Sequence, residues 1–121
     1  NVSQEYLVHA DKNMLSIVLK NLVENAIKFT SQNGSIQINT TVKADMLQVE
    51  VIDTGIGMSE AVQFALKHFN FQSRRGTEGE TGTGLGLMIC RDFVAKNKGR
   101  FWFKSEERKG SSFTFSIPLV L

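Results

Sequence analysis

Three short segments follow one another along this 121-residue chain, the first on a helix, the second where a strand ends and the third leading into another helix. Residues 21–30 (NLVENAIKFT) place two amides and a lysine at helical spacing. Residues 53–58 (DTGIGM) place a carboxylate ahead of two glycines, where an alternating apolar run stops. Residues 82–87 (GTGLGL) are a glycine-rich turn leading into an apolar, helix-like stretch. No one of them is decisive, but their coexistence in that order points to a fold in which one helix, one strand end and the start of another helix converge. Helices and a sheet must therefore pack as layers around one core.

The rest of the chain supplies those layers. Residues 5–10 read as a short strand at a sheet edge. Asp11 can cap a helix over residues 12–30, because a carboxylate there accepts the orphan amides of the first turn. Leu15, Val18, Leu19, Leu22, Ala26 and Phe29 keep the helical repeat. After a turn at residues 31–35 (SQNGS), Ile36, Ile38 and Val42 alternate with polar residues, the chain turns at residues 43–45, and Leu47, Val49 and Val51 alternate again. That pattern predicts a hairpin with one face buried. Ser59 can cap a short helix to about residue 67, residues 70–83 read as a mobile polar loop, and a further helix is expected over residues 85–97. Residues 100–105 and 112–119 close the chain as strands, with Phe113, Phe115 and Ile117 pointing inward and Gly110 in the turn between them. Adjacent hairpins predict a mixed or antiparallel sheet with helices on one face.

Composition excludes several functions. An apolar share of 41% and a charged share of 21% describe one globular domain spanning residues 1–121, with no repeats or low-complexity stretches. A net charge of +2, with the basic residues dispersed, gives no nucleic-acid surface. The one cysteine, Cys90, has no partner for an intramolecular disulfide, which fits a reducing compartment, and its apolar surroundings predict a buried structural thiol. No apolar run reaches the ~20 residues of a membrane helix. The first residue is Asn, so the chain is expected to be part of a longer protein.

The chemistry of the three segments is complementary. Asn21, Asn25 and Lys28 fall within a narrow stripe at 100° per residue, bordering the apolar face of their helix. An amide oxygen is a hard ligand suited to magnesium, and a lysine is a point charge for a phosphate. The alternative is a solvated helix edge. Asp53 emerges at the end of its strand, and a carboxylate there accepts from an exocyclic amine such as that of adenine, while Gly55 and Gly57 allow close backbone approach. The alternative is a capped turn. Residues 82–86 bare their backbone amides at a helix N-terminus, an anion site by geometry and dipole, unless they are only a hinge. A Rossmann fingerprint needs a strand just before its glycines, whereas residues 75–81 are polar. A Walker loop is excluded because no Gly-Lys-Ser/Thr follows. Arg74 or Arg75 can swing over a terminal phosphate, or both are simply solvated. His9 and His68 lack a second ligand at zinc spacing, and no Ser-His-Asp pattern is evident.

With these residues the chain resembles, over essentially its whole length, the catalytic and ATP-binding domain of bacterial sensor histidine kinases. That superfamily includes gyrase-type ATPases, Hsp90-type chaperones and mismatch-repair ATPases. NLVENAIKFT resembles the family's N box, DTGIGM its first glycine box and GTGLGL its second, while GRFWFKSEERKGSSFTFSIPL resembles its closing strands. The resemblance implies a two-layer α/β sandwich, a mixed sheet backed by three helices, of the Bergerat ATP-binding type. It implies Asn25 on Mg2+ with Asn21 assisting at the phosphates, Lys28 on phosphate, and Phe29 beside the base or ribose. It implies Asp53 on the adenine amine with Gly55 and Gly57 shaping that pocket. Gly82, Thr83, Gly84, Leu85 and Gly86 would present amides to phosphate, and Arg74 would act from the lid. Departures are Phe69-Asn70-Phe71 in place of a Phe-x-x-Phe box, a short lid, and Asn97-Lys98-Gly99 where His-Gly-Gly is common.

The expectation is thus an enzyme domain that binds ATP and Mg2+ and transfers the γ-phosphate to a histidine on a separate dimerisation domain, which then serves a response-regulator receiver domain. Alone it should be monomeric, cytoplasmic, free of membrane contact and unable to autophosphorylate, whether or not the parent protein is membrane-anchored. Two rivals stand beside this reading. One is an ATPase or serine-kinase relative, disfavoured because Asn21 occupies the place of the glutamate that activates water in gyrase-type ATPases. The other is a non-catalytic nucleotide-binding module.

Overall fold

Asp11 starts the first helix as its chemistry predicts: its Oδ1 accepts from the Met14 amide at 3.0 Å. The helix, α1 (Lys12–Phe29), buries Val18, Leu22 and Ala26, one residue every fourth position. In this computed structural model, which describes residues 8, 10–68 and 83–120, α1 is followed by β1 (Ile36–Lys43), β2 (Met46–Asp53) and α2 (Glu60–His68). Then come α3 (Thr83–Lys96), β3 (Arg100–Glu106) and β4 (Gly110–Pro118). Of the residues 5–10 expected as a strand, Val8 and Ala10 are described, and Val8 forms an antiparallel bridge with Leu119. Nearly all of the expected polar loop lies outside the described residues.

The four strands form one sheet in the order β1-β2-β4-β3, and every described pairing is antiparallel. Ala44 and Asp45, both at positive φ (53° and 64°), make the two-residue β1–β2 turn, whose twist matches the flanking strands. β4 lies at the centre, with Val51 and Phe103 opposite Phe113 on either side. Its Phe113, Phe115 and Ile117 meet the helices as predicted, together with Val49 and Val51 of β2. On the helical side the same core takes Val18, Leu22 and Ala26 from α1, Leu66 from α2, and Leu87, Cys90 and Val94 from α3. Each of the valines and leucines among them contributes roughly 1.5–3 kcal/mol by leaving water. The architecture is the expected two-layer α/β sandwich with three helices. The sheet, implied to be mixed, is antiparallel throughout the described strands, because each strand is paired through a hairpin or a return of the chain.

Three features differ from the sequence reading. β1 does not bury its apolar face: Ile38 is 51% and Val42 45% exposed. Their alternation is real, but β1 is an edge strand and α1 packs over β2, so the face is formed without being covered. α3 begins at Thr83, two residues before the expected start, which draws Gly84 and Gly86 into its first turn. Gly110 opens β4 opposite Glu106 instead of sitting in the turn. Its φ of 130°, a value that disfavours other residues, disguises a strand start as a turn.

Candidate functional site

β2 delivers Asp53 to the end of the sheet, with only 8% of its surface exposed. Its Oδ1 accepts from the Gly55 amide at 2.8 Å, folding the chain back on itself, and its other oxygen has no partner among the described residues. Gly55 presses against the C-terminal end of α1, where a Cβ would run into the Phe29 carbonyl. The same carbonyl accepts from Ile56 N at 3.2 Å. Gly57 sits at φ 69°, in the left-handed region where glycine is unstrained, and packs on the Glu106 carbonyl.

The loop beyond Asp53 is also braced by the β3–β4 hairpin. Met58 N donates to Ser105 Oγ at 2.8 Å, and Ile56 O accepts from Arg108 N. Gln63 of α2 reaches back through Nε2 to Met58 O at 2.8 Å and Ser105 O at 3.3 Å. None of these bracing residues was singled out in the sequence. The available signal was Ser105 itself, a polar residue at an inward position of the alternation Phe101, Phe103, Ser105.

α1 links this loop to the start of α3. Phe29, at its C-terminal end, contacts the loop, while Asn21, two turns earlier, faces α3: its Oδ1 lies 3.7 Å from where a Gly86 Cβ would stand. Asn21 also hydrogen-bonds the Cys90 thiol, whose Sγ lies 3.7 Å from Val18 O. Burial pushes the Cys90 thiol up from its usual 9.0 to about 12, against the opposing pull of the Asn21 hydrogen bond. The eight residue steps from Asn21 to Phe29 span about 12 Å at 1.5 Å per residue. Between them, Asn25 is half-buried, and its side chain makes no hydrogen bond among the described residues. Lys28 is exposed, its Nζ 5.4 Å from the centre of the Phe29 ring.

Thr83, Gly84, Leu85 and Gly86 form the first turn of α3, whose opening amides have no partner within the helix. The structure thus brings Asn21 beside Gly86, and Phe29 beside Asp53, Gly55 and the loop that follows. Arg74, Gly82 and the Phe69-Asn70-Phe71 segment lie outside the described residues. A separate cavity of about 260 Å³, lined by Leu66, Lys67, Met88, Arg91, Trp102 and Phe103 among others, includes none of the candidate residues.

Residues 10–121 match the family described as histidine kinase-, DNA gyrase B-, and HSP90-like ATPase. The chain belongs to that family. It is similar to the adaptive-response sensory kinase SasA of Crocosphaera subtropica, at 36% identity over 113 residues. It is also similar to that of Synechococcus sp. (strain JA-2-3B'a(2-13)), at 39% over 113 residues. Each match covers 93% of this chain, and the chain spans only 29% and 30% of those two proteins. Among solved structures, the nucleotide-free catalytic domain of histidine kinase ThkA superposes with a TM-score of 0.72 at 34% identity, covering 92% of this chain and 70% of that one. Full-length ShkA, solved in complex with AMPPNP, gives a TM-score of 0.74 at 25% identity, covering 96% of this chain and 24% of that one. The fold expected from the three segments is therefore that of histidine kinase catalytic domains.

Proposed function

We propose that this domain binds Mg-ATP and presents the γ-phosphate to a histidine on a separate dimerisation domain, the first step of two-component phosphotransfer. The observation that carries this reading is the elbow at Asp53. A buried carboxylate spends one oxygen on the Gly55 amide and keeps the other for a donor, at a point where the backbone admits no side chain. That arrangement suits the exocyclic amine of adenine, with Phe29 beside the base or ribose and Gly55 and Gly57 walling the pocket. The family match and the likeness to ShkA solved with AMPPNP, an ATP analogue, support the same ligand.

The remaining roles follow along α1. The unpaired first-turn amides of α3, with Gly82 ahead of them, suit the phosphates, and Lys28 supplies a positive charge. Asn25 fits a magnesium ion, which takes few protein oxygens and keeps water and phosphate as its other ligands. When bound, the ion neutralises charge between the phosphates. Asn21, tied to Cys90 and Gly86, holds the start of α3 against α1 and so assists at the phosphates through position. Arg74 is the candidate for charge stabilisation from the lid. In the transfer itself, the bond from the γ-phosphorus to the bridging oxygen breaks, a bond to the histidine ring nitrogen forms, and ADP leaves with the electron pair. The ring proton passes to a base or to water. The domain's contribution is placement and electrostatics.

No described helix is long and apolar enough to cross a membrane. We place the domain in the cytoplasm, where ATP and a receiver-domain partner are available. Calorimetry with a non-hydrolysable ATP analogue, with and without Mg2+, tests the reading. The wild-type chain should bind and Asp53→Ala should lose most of that affinity. Absence of binding by the wild type would reduce the domain to a degenerate module, and binding that Asp53→Ala leaves intact would remove the adenine assignment.

A further inference from the structure

The loop bearing the base-recognition groups is only as rigid as its backing. Residues 54–58 leave β2 and rejoin α2 within a few residues, so their own chain connectivity does not fix their height above the sheet. Backbone contacts to Phe29 and Arg108 hold the first half, through Ile56. The second half, at Met58, is held by side chains, and the hydroxyl of Ser105 is central to them. It accepts from Met58 N at 2.8 Å, lies 2.8 Å from Ser111 Oγ and 3.3 Å from Gly110 O, and so has partners for both its proton and its lone pairs. Gln63 then bridges Met58 O to Ser105 O, closing a ring of hydrogen bonds around the loop's exit.

We propose that Ser105 is a positioning residue for base selection: its hydroxyl, linking Met58 of the loop to the β3–β4 hairpin, sets the orientation of the Asp53–Gly57 elbow toward an exocyclic amine. This rests on the nucleotide-binding reading above. Ser105 itself does not touch the nucleotide. It acts by raising the fraction of molecules whose elbow is already seated to accept an exocyclic amine. The apparent dissociation constant of a nucleotide that carries that amine scales inversely with that fraction, while a nucleotide that carries a carbonyl there gains nothing from the seated elbow. Loss of the hydroxyl leaves the half-buried Met58 N–H without its acceptor, and the loop is freed to leave its seat. One hydrogen bond of this kind corresponds to about a tenfold change in affinity.

The test compares ATP with inosine triphosphate, which carries a carbonyl oxygen where ATP has the amine, using calorimetry on the full chain. Ser105→Thr keeps the hydroxyl and adds a methyl, and Ser105→Val has the shape of that threonine with a second methyl in place of the hydroxyl. The two variants therefore differ only in the group at issue, and both are β-branched residues suited to a strand. With Ser105→Val, ATP affinity should fall about tenfold while inosine triphosphate affinity stays the same, so the preference between them collapses. Ser105→Thr should retain the preference. A purely structural role would weaken both nucleotides equally, in step with any loss of thermal stability. An unchanged ATP preference in Ser105→Val, or equal loss in the Thr and Val variants, overturns the assignment of Ser105 while leaving the proposed function standing. A wild-type chain that binds neither nucleotide overturns both.

Discussion

Gly55→Ala separates the role of the elbow from the general tolerance of the chain for alanine. The added methyl meets main chain, not a flexible side chain: it would run into the Phe29 carbonyl and stand 3.0 Å from Asp53 Oδ1. Relief requires the loop to lift from the end of α1, which sacrifices the 3.2 Å hydrogen bond from Ile56 N to Phe29 O. Overpacking of this kind costs about 1–3 kcal/mol and the hydrogen bond about 1 more, for a total of about 2–4 kcal/mol. A domain of this size has roughly 6–18 kcal/mol of stability, so the variant should fold. At about 4 °C per kcal/mol, its melting temperature should drop by about 8–16 °C. Gly86→Ala is the internal control. Its Cβ would lie at an ordinary 3.7 Å from Asn21 Oδ1, and alanine in a helix is favoured over glycine by about 0.5–1 kcal/mol. Urea denaturation followed by circular dichroism should show Gly55→Ala clearly destabilised and Gly86→Ala neutral or stabilised. The reverse order, or equal effects, would refute the claim that the elbow is wedged against α1.

Two further outcomes follow from individual groups. The Cys90 thiol titrates near 12 when folded and near 9.0 when unfolded, so the folded state holds its proton over a range in which the unfolded chain has lost it. Stability should therefore be intact below pH 9 and fall above it with a slope that approaches about 1.4 kcal/mol per pH unit. Denaturation midpoints measured from pH 8 to 10.5 should show that slope in the wild type and a shallower one in Cys90→Ala. Asp11→Ala removes the acceptor for Met14 N and should cost about 1 kcal/mol in the same denaturation assay, with the helical far-ultraviolet signal retained.

The fold was legible where local chemistry and tertiary packing agree. Asp11 and Ser59 announce helix starts through side-chain acceptors, and both caps form, the second through Ser59 Oγ accepting from Val62 N at 3.2 Å. The alternation of Phe113, Phe115 and Ile117 reports a buried face because β4 is central. The same alternation in Ile36, Ile38 and Val42 misleads because periodicity records which way side chains point and says nothing about whether another layer reaches them. At the candidate site, Asp53 and the glycines were visible as motifs because their chemistry is local. Asn21 was visible as an amide, but its tie to Cys90 joins residues 69 positions apart and depends on how two helices pack. Ser105 and Gln63 were not visible as loop braces for the same reason: their hydrogen bonds cross from strand and helix to loop, and single serines and glutamines carry no pattern of their own.

The two ends of the proposed site are tied together by one continuous helix. α1 touches α3 at Asn21 and the Asp53 loop at Phe29, and no hinge residue interrupts the segment between them. A rod of that kind acts as a ruler. Substitutions along it change chemistry one position at a time, whereas inserting or deleting a single residue would rotate everything beyond it by about 100° and shift it by about 1.5 Å. Asn21 and Phe29 could not then both keep their contacts. Sequence drift in this segment should accordingly be free in letters on the exposed face and closed to changes in length, while the two-residue turn at Ala44 and Asp45, remote from the site, can absorb insertions.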